Sequence, residues 1–188
     1  MTNLTRCGWV SSDPIYLNYH DTEWGQPLHD EQKLFELLIL EGFQSGLSWI
    51  TILRKREDFR ETFDQFNYHQ IAYWTDEKLQ ECLLNPKIIR NRLKINAVKT
   101  NAKAFIKIQE KFGSFDRYIW DFVKFTPIQN HFFSHQELPS STEISLAMSK
   151  SLKKHGFKFV GPTICYSFMQ AAGLVNDHIT ECFCYSKK

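Results

Sequence analysis

Two short pairs of metal-capable residues sit at opposite ends of this chain. Cys7 and His20 form a C-x12-H pair near the start, and His178 and Cys182 form an H-x3-C pair near the end. Two thiolates and two imidazoles complete a tetrahedral zinc shell that leaves no position open for a substrate. If the four meet, the ends of the chain must meet, and the ion would be a clamp rather than a catalyst. A helix through 178–182 would set both late donors on one face. The competing reading is that these cysteines are small buried hydrophobes, since spacing alone does not force the pairs together. Cys184 could replace Cys182 or be an inert neighbour. Five cysteines, with no signal peptide before them, argue against a disulfide framework and for a reducing cytoplasm.

With 188 residues, 43% of them hydrophobic, the chain is long enough for one domain, or two lobes sharing one core. Sixteen Phe, seven Tyr and five Trp must mostly fill that core. No stretch approaches the length needed to cross a membrane. The net charge of +2 hides an asymmetry: residues 87–111 carry eight Lys and Arg against one acid, Glu110, while residues 1–86 carry seven against fourteen. One cationic face would suit a polyanion; a solvated helix with ordinary lysine spacing explains the same numbers.

Capping signals divide the chain into helices. Asp13-Pro14 opens a short one ending near His20. Asp30 opens the next, with apolar residues at 34, 37 and 38 before Glu41, and Gly42 and Gly46 are expected to break it. Ser48 begins a helix through Trp49, Ile52, Leu53, Phe59 and Phe63, and Thr75 a shorter one. Pro86 precedes a long basic helix to about Lys111, stopped by Gly113, and Ser114 starts a short helix through Trp120. Residues 124–140 read as a loop. Ser141 or Thr142 opens a helix through Lys154, and Gly161-Pro162 opens another through Ala172. No segment alternates as a strand does, so the expected class is all-α.

The stretch 153–162 reads as helix, tight turn with Gly156 and Gly161, then helix. The second helix start offers unpaired N–H groups to an anion, with Lys153, Lys154 and Lys158 beside it. This resembles a helix-hairpin-helix element, which grips a DNA phosphate without reading bases. An ordinary αα-corner is the plainer alternative.

Glu41 lies seven, four and three residues after Leu34, Leu37 and Leu38, on the face that buries those leucines. A carboxylate there is costly unless paired or hydrogen-bonded. Its neighbours in sequence and in flanking segments include Tyr19, Trp24 and Trp49, and an acid among aromatic rings suits a flat cation.

The segments 6–10 (RCGWV), 19–21 (YHD), 23–25 (EWG), 40–42 (LEG), 46–50 (GLSWI), 156–161 (GFKFVG) and 175–178 (VNDH) resemble the 3-methyladenine DNA glycosylase I family, in order from residue 6 to about 185. The resemblance implies a helix-hairpin-helix glycosylase fold in a single domain, 1–188, of two helical lobes. It implies one structural zinc on Cys7, His20, His178 and Cys182, with the segments 1–25 and 174–188 forming the metal region. It implies Glu41 as the catalytic carboxylate and Tyr19 and Trp49 as the base pocket, with Trp9 and Trp24 as further walls. Gly46 and Leu47 would fill the gap left by an extruded nucleotide, and Lys158 and Gly161 would meet the DNA backbone. Asn176 stands roughly where many relatives in the wider superfamily place a catalytic Asp. Asp177 is one residue off, beside an expected metal ligand, and is not assigned that role.

An adenine methylated at N3 is cationic and leaves as a neutral base, so little acid assistance is needed. The implied activity is hydrolytic excision of 3-methyladenine from alkylated double-stranded DNA by base flipping, leaving an abasic site. No lysine nucleophile is obvious, no obligate protein partner is implied, and a monomer is expected. Two alternatives are a zinc-stabilised DNA-binding module without catalysis and a hydrolase of free nucleosides.

Overall fold

The structure is a computed structural model that describes residues 4–186; positions 1–3 and 187–188 of the expected domain lie outside the described residues. Among these, ten helices account for almost all regular structure. They are α1 (Pro14–Thr22), α2 (Glu31–Gln44), α3 (Trp49–Arg54), α4 (Arg56–Thr62), α5 (Tyr68–Ile71), α6 (Asp76–Leu84), α7 (Arg92–Phe112), α8 (Phe115–Trp120), α9 (Glu143–Lys154) and α10 (Pro162–Ala171).

Side-chain caps place most of the helix starts. Asp13 accepts from the Ile15 N–H with Pro14 in the first turn, Asp30 from Lys33, Thr75 from Lys78 and Ser114 from Arg117. At α9, Thr142 and Ser145 cap each other reciprocally, satisfying two donors the helix itself leaves unpaired. Helix α2 is the axis of the molecule, touching α3, α7, α8 and α10. Leu34, Phe35, Leu38, Ile39 and Phe43 are all nearly fully buried. Phe105 of α7 joins Phe35, 5.3 Å between ring centroids, to Phe115, 4.2 Å away, so a single aromatic core runs through the bundle.

Four expectations need correction. Gly42 does not break α2, which continues to Gln44. Its glycine is needed for packing instead, because a Cβ there would lie 3.3 Å from the Cβ of Phe159. The helix expected from Ser48 to Phe63 is two, interrupted at Lys55, where φ −102° and ψ 2° are not helical. The basic helix starts at Arg92, capped by Asn91, not at Pro86. The loop 124–140 contains a two-residue strand, β1 (Ile128–Gln129), parallel to β2 (Val175–Asn176), and a short turn of 3₁₀ helix at His135–Glu137. The mostly helical class stands.

The two ends of the chain are joined. The Phe183 N–H donates to the Thr5 carbonyl at 3.0 Å, and the Gly25 and Leu28 N–H groups donate to the Gln170 and Ala172 carbonyls, each at 3.1 Å. Gly173, at φ +71°, permits this approach: a Cβ there would stand 2.4 Å from the Gln26 carbonyl carbon. The segment carrying Trp24 is thereby locked against the end of α10.

Candidate active site and metal cluster

Helix α1 and the segment after β2 bring Cys7, His20, His178 and Cys182 together. Their donor atoms lie within 4.8 Å of one another, and all four residues are buried. Cys182 Sγ is 3.5 Å from both His20 Nε2 and His178 Nδ1, and Cys7 Sγ is 3.5 Å from the same Nδ1. His178 and Cys182 do not share a helix face as expected; a turn closed by the Cys182 N–H on the Ile179 carbonyl, 2.8 Å, brings them together.

The outer nitrogens favour metal binding. His20 Nδ1 lies 2.8 Å from Asp21 Oδ1, and Asp21 is held in turn by a forked pair from Arg6. His178 Nε2 is 3.2 Å from the Trp24 carbonyl oxygen. Each ring therefore donates outward and directs its basic nitrogen at the thiols, the arrangement that orients metal-binding imidazoles. Contacts with Cys7, His178 and His20 draw the Cys182 thiol down, while the contact with Cys182 and burial push Cys7 up. The cluster could hold a metal ion. Cys184 is not one of these four but adjoins them: it groups with His20 and Asp21, with ligand atoms within 4.8 Å of one another, and its N–H donates to the Cys182 sulfur at 3.4 Å.

Beside the cluster is a cavity of about 190 Å³ lined by Trp9, Tyr16, Tyr19, Trp24, Glu41 and Trp49. Glu41, on α2, is 2% exposed. Its Oε2 and the Trp49 Nε1 are sealed from solvent with no hydrogen-bond partner among the described residues. Burial pushes the Glu41 carboxyl up to about 8. Burial and the nearby carboxylates also raise the Tyr19 hydroxyl. Tyr19 and Trp49 face each other at 5.5 Å, and Trp9 and Trp24 meet nearly edge-to-face at 5.0 Å. An adjoining larger cavity, about 370 Å³, shares Tyr19 and Trp49. In it Arg56 pairs with Glu23 and Arg60 with Glu36, whereas the unpartnered Glu41 carboxyl oxygen belongs to the smaller cavity.

Sequence reasoning missed part of this lining: Tyr16, Gln44, His135, Leu138, Ser167 and Gln170. Tyr16 is three residues before Tyr19 and Gln44 three after Glu41, so helical spacing could have found both. His135 and Leu138 come from an aperiodic loop and gave no such signal.

The residues expected to meet DNA include a pair at the C-terminal end of α2. Gly46 takes φ +83°, and Leu47 beside it is 42% exposed. The turn between α9 and α10 has Gly156 at φ +95° and Phe159 at φ +57°, and Gly161 is the N-cap of α10. Asn101 of α7 clasps the turn at Lys158, accepting its N–H at 2.8 Å and donating to its carbonyl at 3.1 Å. Phe157 and Val160 are buried while Lys158 is exposed. The basic helix is less uniformly exposed than its composition implies. Lys94 is buried and donates to the Phe43 and Ser45 carbonyls at 2.9 and 2.8 Å, so its charge caps α2 instead of facing outward.

The methyladenine glycosylase family model matches residues 9–185, and the chain belongs to that family. It is 50% identical over 182 residues to DNA-3-methyladenine glycosylase 1 of Escherichia coli (strain K12), covering 97% of each chain. It is 49% identical to DNA-3-methyladenine glycosylase of Haemophilus influenzae (strain ATCC 51907 / DSM 11121 / KW20 / Rd), covering 96% of this chain and 97% of the other. A crystal structure of a single-residue variant of 3-methyladenine DNA glycosylase I, in complex with 3-methyladenine, superposes with a TM-score of 0.92 at 37% identity, covering 94% of this chain and 95% of that one.

Proposed function

We propose that the protein excises 3-methyladenine from alkylated double-stranded DNA by hydrolysing the N-glycosidic bond, leaving the strands intact at an abasic site. The observation that carries this reading is the Glu41 carboxylate, whose Oε2 is sealed away without a partner among the described residues in a cavity walled by indole and phenol rings. An orphan of this kind is expensive, and a bound cationic purine would relieve it by its charge and its N–H groups together. Trp49 and Tyr19 are the stacking surfaces, with Trp9 and Trp24 behind. As the bond to the sugar breaks, the positive charge on the base becomes positive charge on the sugar carbon. The Glu41 carboxylate stabilises that developing sugar cation, and an unmethylated adenine, which would have to leave as an anion, reaches such a state far less readily. Water then captures the sugar.

Duplex DNA is the partner in this reading. The turn 156–161 acts as a helix-hairpin-helix element, with Gly161 and Lys158 at a phosphate, and Gly46 and Leu47 occupy the space of the extruded nucleotide. Cys7, His20, His178 and Cys182 hold one zinc, whose contribution is to tie residues 1–25 to 174–188 within one domain of two lobes. The protein acts as a monomer in a reducing cytoplasm, the compartment an odd number of cysteines suits. A DNA-binding module without catalysis would leave the orphaned acid unexplained. Incubation with methylated duplex DNA tests the reading: free 3-methyladenine is the expected product, and its absence under conditions where the duplex binds would refute it.

A further inference from the structure

Asp177 is 1% exposed and meets no cation among the described residues. It is satisfied by three neutral donors: Asn130 Nδ2 at 2.7 Å on Oδ1, and the Tyr166 hydroxyl at 2.6 Å and Gln170 Nε2 at 2.8 Å on Oδ2. All three neighbours are donors, so the Asp177 carboxyl oxygens act as acceptors in each contact. Gln170 is also a wall of the cavity that holds Glu41. Gln170 Nε2 is the donor to Asp177 Oδ2, so the amide presents its NH₂ group to Asp177 and its carbonyl away from it. The backbone carbonyl of Gln170 is held separately by the Gly25 N–H, so neither end of the residue is free to reorient. What remains for an occupant is the side-chain carbonyl, which has no partner among the described residues.

We infer that Gln170 is a specificity-determining residue of the base pocket, oriented by Asp177 so that its carbonyl accepts a hydrogen bond from the exocyclic 6-amino group of the purine. The inference rests on the excision reading above and sharpens it. A 6-amino group has two N–H bonds, enough for Glu41 and Gln170 together. A purine with a 6-oxo group sets an acceptor against two acceptors, and a buried mismatch of that kind discriminates far more strongly than the loss of a methyl contact. Methylated adenine is therefore favoured over methylated guanine by the polarity of one amide, in addition to any effect of shape.

The test is the ratio of kcat/KM for 3-methyladenine over 3-methylguanine, measured on methylated duplex DNA with wild type, Asp177→Asn, Tyr166→Phe and Gln170→Met. The side chain introduced by Asp177→Asn carries its own NH₂, so the Gln170 amide can turn its carbonyl to that group and its NH₂ to the pocket. The ratio is expected to fall by about tenfold or more in Asp177→Asn. Gln170→Met keeps the volume and removes the carbonyl, and should also lower the ratio, by losing the hydrogen bond to adenine and relieving the acceptor–acceptor mismatch with guanine. Tyr166→Phe weakens the same carboxylate without inverting the amide and should leave the ratio unchanged. An unchanged ratio in Gln170→Met overturns the inference, even if Asp177→Asn fails to fold. A wild type that releases no methylated purine overturns the excision reading instead, so the two failures are distinguishable.

Discussion

The Trp24 indole stands edge-on to the His178 imidazole with ring centroids 4.7 Å apart, while the Trp24 carbonyl oxygen lies 3.2 Å from Nε2 of the same ring. A wall of the cavity that holds Glu41 is thus the direct neighbour of the Cys/His cluster, so a change in one should reach the other.

Metal removal should reach the cavity. With four donors in place, one zinc per chain is expected by elemental analysis. Cys182→Ser should lower thermal stability by several kcal/mol, since metal affinity at such a site is folding energy. A shift in intrinsic tryptophan fluorescence should accompany the loss. Retention of full stability with no bound metal would contradict the clamp.

The raised Glu41 carboxyl gives a pH signature with a definite sign. Its ordinary value is 4.5 and burial takes it to about 8, so the folded protein holds a proton that the unfolded chain gives up in between. The stability it contributes is present below about 4.5 and lost as pH rises through about 8. Glu41→Gln cannot ionise, and should exceed wild type in stability above pH 8, by roughly 5 kcal/mol at most. The reverse order in chemical denaturation would mean Glu41 is paired in solution. Excision follows the opposite trend: kcat/KM should rise with pH toward about 8, as the carboxylate needed to attract a cation forms.

Two lysines of similar sequence context should behave differently. Lys158→Ala should weaken duplex binding evenly across sequences and reduce the salt slope by about one. Lys94→Met should leave that slope unchanged, because its ammonium is spent on the carbonyls at the end of α2. Losing those bonds should cost about 1–3 kcal/mol of stability. Filter binding over a salt series and urea unfolding separate the two.

The helices were legible where a cap and an apolar stripe agreed, as at Asp13, Asp30, Thr75 and Ser114. They were misjudged where tertiary contact decides. Gly42 looks like a terminator until Phe159 packs upon it, and Lys94 counts as surface charge until α2 ends beside it. In the site, Glu41 stood out because a carboxylate broke an apolar face. Gln170 did not, because a glutamine on a helix is ordinary until Asp177 fixes which end faces the cavity. Which parts of the loop 124–140 reach the rim depends on β1 pairing with β2, a contact between segments about 47 residues apart that local pattern does not encode.

The most direct measurement compares Glu41→Gln with wild type on one methylated duplex, recording bound DNA and released base in parallel. Binding should be nearly equal while release of 3-methyladenine falls about 10²-fold or more. Equal losses of binding and release, or undiminished release, would contradict the claim that this carboxylate selects and stabilises the cationic base.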